Sequence, residues 1–262
     1  MSTVPPTPQT PAAAATWRGC RWLAHRGAGT LAPENTLAAF RLGHHHGCRY
    51  FECDAKLSAD GVAFLMHDTT LARTTREPGV AGDRTWAELS RLDAGCWHSL
   101  AYAGEPIPTL AAVARFCMAT DSLLNIEIKP TPSTEALTGQ RVAAEAAQLW
   151  QGRTDLPLLS SFSVDAVAAA REAAPTLPRA LLIDTLTPGW LEQAQALGCI
   201  AVAANCQRVD AGWAGQLHAA GLLAWAYTVN DAATADRLRS WGVDALFTDA
   251  VDTLPARDPL PR

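Results

Sequence analysis

A closed α/β barrel is the fold this sequence predicts, and three observations predict it. Apolar runs of strand length alternate with Ala-rich helical stretches along most of the chain. Strand then helix, repeated, means a parallel sheet. The runs are apolar nearly throughout, as strands buried on both faces are. Eight such units close into a (β/α)8 barrel of the TIM type more readily than they form an open sheet. The 262 residues match the length of one such domain, about 250 residues.

The eight runs are Arg21 to His25, Arg49 to Asp54, Leu123 to Ile128, Leu156 to Ser161, Arg179 to Ile183, Cys199 to Ala203, Leu222 to Val229 and Ala245 to Thr248. Helical patterns between them include Thr36–Gly43, Gly139–Gln151, Val164–Ala173, Pro188–Leu197, Ala211–Ala219 and Ala232–Trp241. Gly43, Gly198, Gly221 and Gly242 are placed as left-handed C-caps. One segment breaks the alternation. Lys56 to Met66 carries Asp60-Gly61, a hairpin turn signal, and is too short for a parallel crossover. It is therefore a hairpin and not a barrel strand. The stretch 69–110 is rich in turn residues and reads as a small inserted cap.

At the ends, residues 1–16 are rich in Pro, Thr and Ala and are expected to be a disordered tail. Residues 254–262 hold two prolines and read as a second tail, which leaves 17–253 for the barrel. The N-terminus lacks the basic and apolar regions of a secretory signal, and no apolar stretch is long enough to span a membrane. Seven cysteines without a CxxC pair fit free thiols, so the cytoplasm is the expected location. The net charge of −5 argues against nucleic acid as a partner, yet a few local cations suffice to bind a small phosphate compound. Nine tryptophans suit either core or an interface between copies.

Barrels of this kind carry their chemistry at the C-terminal ends of the strands. The polar residues there are His25 and Arg26, Glu52 and Asp54, Glu127 and Lys129. Glu52 and Asp54 stand two apart on one strand, so both face the same way, and Glu127 and Lys129 repeat that spacing. Singly, each acid fits a rim ion pair, such as Glu127 with Arg26. Together, three converging carboxylates repel one another, and a divalent cation relieves the repulsion. Oxygen-only ligands suit Mg²⁺ first, with Mn²⁺ or Ca²⁺ as alternatives, rather than zinc.

A two-residue turn at Asp60-Gly61 pairs residues whose numbers sum to 121, which sets His67 opposite Asp54. A slip to Ala59-Asp60 sets it opposite Glu52. Either register returns His67 to the acids. Two histidines, His25 and His67, then flank a metal-bound phosphoryl group as an acid–base pair. Arg26 and Lys129 supply fixed charge for nonbridging oxygens. Phe162 and Trp225 serve equally as pocket walls or as barrel core. His44-His45-His46 ends a helix, where cations are favoured, and reads as an exposed cap rather than a metal tract.

These residues resemble the glycerophosphodiester phosphodiesterase family. The matching stretches are LAHRGAGTLAPENTLAAF (23–40), FECDAKLSADGVAFLMHDTTLARTT (51–75), LDAGCW (92–97), EPIPTL (105–110), LNIEIKP (124–130), LLSSF (158–162), AYTVND (226–231) and GVDALFTD (242–249). They run in order along nearly the whole chain, and the set is most like the cytosolic bacterial enzymes associated with glycerol 3-phosphate uptake. The resemblance implies a phospholipase-C-like TIM barrel with a small insertion after the HD motif. It implies hydrolysis of glycerophosphodiesters to sn-glycerol 3-phosphate and an alcohol. Metal ligands then fall on Glu52, Asp54 and Glu127, the acid–base pair on His25 and His67, and phosphate contacts on Arg26 and Lys129. Phe162 and Trp225 match pocket aromatics. Pro33, Glu34 and Asn35 match a PEN motif that shapes the first turn. Cys53 departs from the larger apolar residues common there, but alternation points it away from the site. Two rival readings are a related barrel phosphodiesterase acting on lysophospholipids or phosphoinositides, and a noncatalytic binder of phosphorylated metabolites. The first calls for an apolar membrane-docking rim and the second for a lost acid or histidine; the sequence has neither.

Overall fold

The structure, a computed structural model, describes residues 11–255. Nine strands occur in chain order: β1 (Trp22–Ala24), β2 (Tyr50–Leu57), β3 (Ala63–Leu65), β4 (Leu123–Ile128), β5 (Leu158–Ser161), β6 (Arg179–Ile183), β7 (Ala201–Asn205), β8 (Leu223–Tyr227) and β9 (Ala245–Thr248). All but β3 are parallel neighbours in one ring, and β9 pairs back onto β1 with Ala24 opposite Thr248. Pairing of β1 with β2 completes the closure. This is the eight-stranded barrel that the sequence predicts.

The helices are α1 (Pro11–Arg18), α2 (Leu37–His45), α3 (Ala72–Thr75), α4 (Trp86–Leu89), α5 (Leu110–Ala119), α6 (Glu135–Leu149), α7 (Val164–Ala173), α8 (Trp190–Ala196), α9 (Ala211–Ala219) and α10 (Ala232–Ser240). Polar N-caps start five of them. The side chains of Thr36, Thr109, Ser163, Asp210 and Asp231 each accept from an amide of the first turn. Gly198, Gly221 and Gly242 have the positive φ of C-caps. Gly43 does not. It lies inside α2, where a Cβ would meet the Gly27 carbonyl oxygen at 2.2 Å. Its role is close approach of α2 to the first βα loop, and the chain leaves the helix only at His46.

The N-terminal expectation is partly corrected. Residues 1–10 lie outside the described residues, but Pro11–Arg18 is helical. Proline suits a first helical position and the alanines propagate the turn. Trp17 then anchors it beneath the barrel: it is wholly buried, 5.7 Å from Trp225 and 5.8 Å from Tyr50 between ring centroids, and its Nε1 donates to the Leu156 carbonyl. Truncating such a residue to alanine costs about 3–5 kcal/mol. At the other end Leu254 is still packed in the outer core, and residues 256–262 lie outside the described residues. Helix α5, which periodicity did not single out, links the insertion back to β4. The insertion carries α3, α4 and two short 3-10 turns over a small core of Phe64, Met66, Leu71, Leu89 and Ile107.

The hairpin register also differs from expectation. Strand β2 pairs with β3 as Ala55–Leu65, Lys56–Phe64 and Leu57–Ala63, so partner numbers sum to 120. The loop has three residues, Ala59-Asp60-Gly61, with Gly61 at φ +82°. Ser58 Oγ donates to Asp60 Oδ1 and accepts from the Val62 amide, while Asp60 Oδ1 also accepts from the Trp86 amide. That network favours the longer loop. The ladder therefore brings Met66, not His67, across from Asp54, and the Met66 amide donates to the Asp54 carbonyl. His67 reaches the mouth because β3 ends at Leu65 and the backbone bends at residues 67–69.

Candidate active site

Alternation along the parallel strands decides what faces the barrel axis. On β2, Glu52, Asp54 and Lys56 point one way, and Asp54 pairs in register with Glu127 on β4. Ligand oxygens of Glu52, Asp54 and Glu127 all lie within 4.8 Å of one another, and all three residues are buried.

Charge neighbours set their protonation. Burial, and then the Asp54 carboxylate, push Glu52 up to about 8 and Glu127 up to about 7. Burial opposes ionisation of Asp54 too, but Arg26, Lys129, His67 and a hydrogen bond from Asn35 outweigh it, and its pKa falls to about 2. Arg26 Nε and Lys129 Nζ stand 3.4 and 3.6 Å from the Asp54 oxygens. Lys129 also lies 2.5 Å from Glu127 Oε1. Glu52 Oε2 accepts from the Arg26 amide, whereas buried Glu52 Oε1 has no hydrogen-bond partner among the described residues. A divalent cation fits this donor set: hard oxygens, mutual repulsion, and one orphaned lone-pair site aimed into the cluster.

Each histidine pairs its Nδ1 with a carboxylate oxygen at 2.7 Å. His25 meets Asp249, and His67 meets Asp68. A carboxylate only accepts, so Nδ1 carries the proton in each pair and Nε2 is the ring nitrogen left for proton transfer. His25 Nε2 lies 4.0 Å from Glu52 Oε2. His67 shares a cleft with Glu127, Lys129 and Phe162 and lies within electrostatic reach of Asp54. Phe162 is 43% exposed at the mouth, with Lys129 Nζ 5.3 Å from its ring centroid. Eight of the nine residues singled out in the sequence thus gather at one end of the barrel.

A profile of the glycerophosphoryl diester phosphodiesterase family matches residues 25–253. The chain belongs to that family. YhdW of Bacillus subtilis (strain 168) is similar, 36% identical over 237 residues that span 88% of this chain and 94% of its own. A glycerophosphodiester phosphodiesterase of the same organism is 28% identical over 247 residues, spanning 88% of this chain and 83% of its own. Among solved structures, an Oleispira antarctica phosphodiesterase in complex with the product sn-glycerol-3-phosphate superposes with a TM-score of 0.84 at 32% identity. That match covers 90% of this chain and 95% of the other.

Within this family member, Trp225 is the one singled-out residue that does not reach the mouth. It is wholly buried in the lower barrel against Trp17 and Phe247. The correction follows from strand length. Tyr227, two residues nearer the C-terminal end of β8, faces the same way one layer higher, stands 5.6 Å from Phe162, and donates its hydroxyl to the Ile183 carbonyl. Four further groups belong to the site and are not placed in it by the sequence reading, which gives Asn35 only a part in shaping the first turn. Asn35 donates to Asp54 Oδ2 and accepts from the Asp54 amide, held by a left-handed backbone at φ +59°. Asp68 and Asp249 hold the two imidazoles. Lys56 continues the inward face of β2 past Asp54, and burial pushes its pKa down to about 8.

Proposed function

We propose that this chain hydrolyses glycerophosphodiesters to sn-glycerol 3-phosphate and an alcohol, with a divalent cation and with His25 and His67 as its proton carriers. The observation that carries the reading is the convergence of three buried carboxylates with two carboxylate-held imidazoles at the mouth of one barrel. Glu52, Asp54 and Glu127 would hold the cation, Mg²⁺ first among the candidates. Such an ion, when bound, offsets charge on a phosphoryl oxygen. Arg26 and Lys129, already at the cluster, bind nonbridging oxygens as fixed cations.

One imidazole takes a proton at Nε2 from the nucleophile, which is water or the substrate's own glycerol 2-hydroxyl; with the hydroxyl the first product is a cyclic phosphate, and a water molecule then opens it to glycerol 3-phosphate. The other gives a proton at Nε2 to the departing alcohol oxygen. Asp249 and Asp68 fix the ring orientations that both transfers need. Phe162 walls the cleft. Residues 17–253 form the working unit, and the insertion contributes Arg73, the brace of Asp68. Seven free cysteines support a reducing compartment, hence the cytoplasm. No helix among the described residues is long and apolar enough to cross a membrane.

The test is one assay. Purified protein is incubated with glycerophosphocholine and with glycerophosphoethanolamine, after chelation and after readdition of Mg²⁺, Mn²⁺ or Ca²⁺, and released glycerol 3-phosphate is measured. Release that vanishes on chelation and returns with one of the ions is the expected result. Undiminished release after thorough chelation removes the metal from the proposal, and no release under any condition removes the activity.

A further inference from the structure

Beneath the carboxylates the barrel interior carries polar groups that the chain itself leaves unmet. Asn125, Ser160 and Trp225 are wholly buried. Among the described residues, both polar atoms of the Asn125 amide, Ser160 Oγ and the Trp225 indole Nε1 make no hydrogen bond. All three side chains face the axis. Asn125 pairs in register with Glu52, and Ser160 with Glu127, on the face that carries the acids. Trp225 packs inward on Trp17 and Phe247. Inward side chains of such barrels stack in layers filled from alternate strands. Strands β2 and β5 flank β4, so Asn125 sits just under Glu52 on one side and Ser160 on the other. Strand β8 stands opposite β4 in the ring, and the registers carried round with the shear set Trp225 level with Asn125. Between them Ser160 pairs with Ala180, and Ala203 with Trp225, and these small side chains leave room at the axis.

Leaving several buried polar groups unmet is costly, and protein interiors meet them with ordered water. The chemistry of this set selects its ligand. An indole N–H only donates, a carboxylate only accepts, and an amide or hydroxyl does both. A bare cation gains nothing from the indole, and an anion is opposed by Glu52. Water donates and accepts, and makes about three hydrogen bonds at such sites. Glu52 Oε1, itself without a partner among the described residues, has two lone-pair sites. It can meet a metal ion from above and a water from below.

We propose that Asn125, Ser160 and Trp225 hold buried water under Glu52, and that this water sets the Glu52 carboxylate toward the ion. Asn125 and Ser160 are positioning residues here, since they act on a metal ligand through water. The inference rests on the metal-dependent reading of this site.

Two measurements on the full chain, both without substrate, test this. Oxygen-17 relaxation dispersion of the solvent, with the metal-free protein, counts long-lived internal waters. Asn125→Leu keeps the branched shape without polar atoms and is expected to remove at least one of them. Calorimetric titration with Mn²⁺ reads the Kd of the ion, which is expected to rise about tenfold in Asn125→Leu, the lower end of what partners of metal ligands contribute. Asn125→Ser keeps a hydroxyl and leaves room for a further water, so it should recover most of the affinity. An unchanged water count in Asn125→Leu overturns the buried water. A lost water with an unchanged Kd overturns the positioning. An Asn125→Ser variant as weak as Asn125→Leu also overturns it, because packing and not hydrogen bonding then sets the affinity. Circular dichroism checks folding. If Asn125→Leu does not fold, Ser160→Ala decides: weaker Mn²⁺ binding supports the assignment, and an unchanged Kd overturns it. Failure of the unmodified chain to bind Mn²⁺ is a different result. It strikes the metal reading and the positioning with it, while a water count that still falls in Asn125→Leu leaves the buried site standing.

Discussion

The two imidazole–carboxylate pairs at the mouth have the same contact, Nδ1 to Oδ1 at 2.7 Å, and different foundations. His25 and Asp249 are 224 residues apart and meet only because the last strand of the barrel pairs with the first. The His25 amide donates to the Thr248 carbonyl, and Asn230 grips Asp249 through both its side-chain amide and its carbonyl oxygen. His67 and Asp68 are sequence neighbours at the threshold of the insertion. Their brace is Arg73, which donates to both Asp68 oxygens and also to Glu34, the residue that accepts from Arg26. Protonation differs accordingly. Burial opposes a charge on His25, but Asp249 and Glu52 overcome it and the pKa is raised. At His67 burial, with help from Arg26 and Lys129, prevails over Asp54 and Asp68 and the pKa is lowered. Equal pairing thus does not give equal proton affinity; the surrounding charges decide.

The largest expected effect treats the two alike. His25→Ala and His67→Ala should each lower kcat by about 10²–10⁴-fold, the usual contribution of a positioned proton carrier, with the circular dichroism spectrum unchanged. The double variant should lose little more than the worse single, because groups that act as a unit are non-additive. Full additivity, or a single variant at the unmodified rate, breaks the pairing of their roles.

A smaller effect separates them. Asp249→Asn and Asp68→Asn each remove a carboxylate that holds an imidazole, and losses on the order of 10–100-fold are typical of such partners. Imidazole titration by NMR in the metal-free protein sharpens the contrast. Asp249→Asn should turn the raised His25 pKa downward, since that hydrogen bond is the leading contribution that raises it. Asp68→Asn should lower an already lowered His67 further, but by less, because Asp54 contributes more there than Asp68 does. Equal shifts at the two rings would contradict the account of their surroundings.

The same contrast explains what could be read from the sequence. Strand and helix alternation was legible because parallel strands are apolar on both faces and helices are not, and β4, β6, β9, α7 and α9 fall on their predicted bounds. The acids and Lys129 were legible because a period of two fixes their common face. Asp249 was not singled out, although it directly follows the last strand; its relevance appears only once closure sets β9 beside β1. Asp68 was passed over as the mere neighbour of His67, because adjacency in sequence does not reveal a bend that turns both side chains to one place. His67 itself was found through a two-residue turn that does not form, since side-chain bonds of Ser58 and Asp60 select the three-residue loop. For Trp225 the sequence leaves pocket wall and barrel core open, and it is core, because strand bounds, which decide the layer, are less legible than strand identity. Lys56 entered only as the first residue of the hairpin segment, although the period that placed Asp54 also turns it inward.

The smallest expected effect tests whether the second pair depends on the insertion while the first does not. Asp93 closes a turn of the insertion: Oδ1 accepts from the Gly95 and Cys96 amides and Oδ2 from the Gly104 amide. Those hydrogen bonds hold its pKa down to about 2. A carboxyl whose folded pKa is depressed gives stability that is present above its unfolded value and is lost as pH falls through the folded one. Protection of amides in 69–110 from hydrogen exchange should therefore weaken between about pH 4 and pH 2 in the metal-free chain, with Asp93 contributing part of the loss. Asp93→Asn should reproduce that part at neutral pH, as faster exchange and faster proteolytic nicking within the insertion. The His67 resonance should broaden or shift with it, while the His25 resonance should stay where it was, because the turn meets the first βα loop at the Thr30 carbonyl, through His98 Nε2, five residues past His25. Movement of both would mean that the insertion and the barrel mouth open as one unit, and the two pairs would then share a foundation after all.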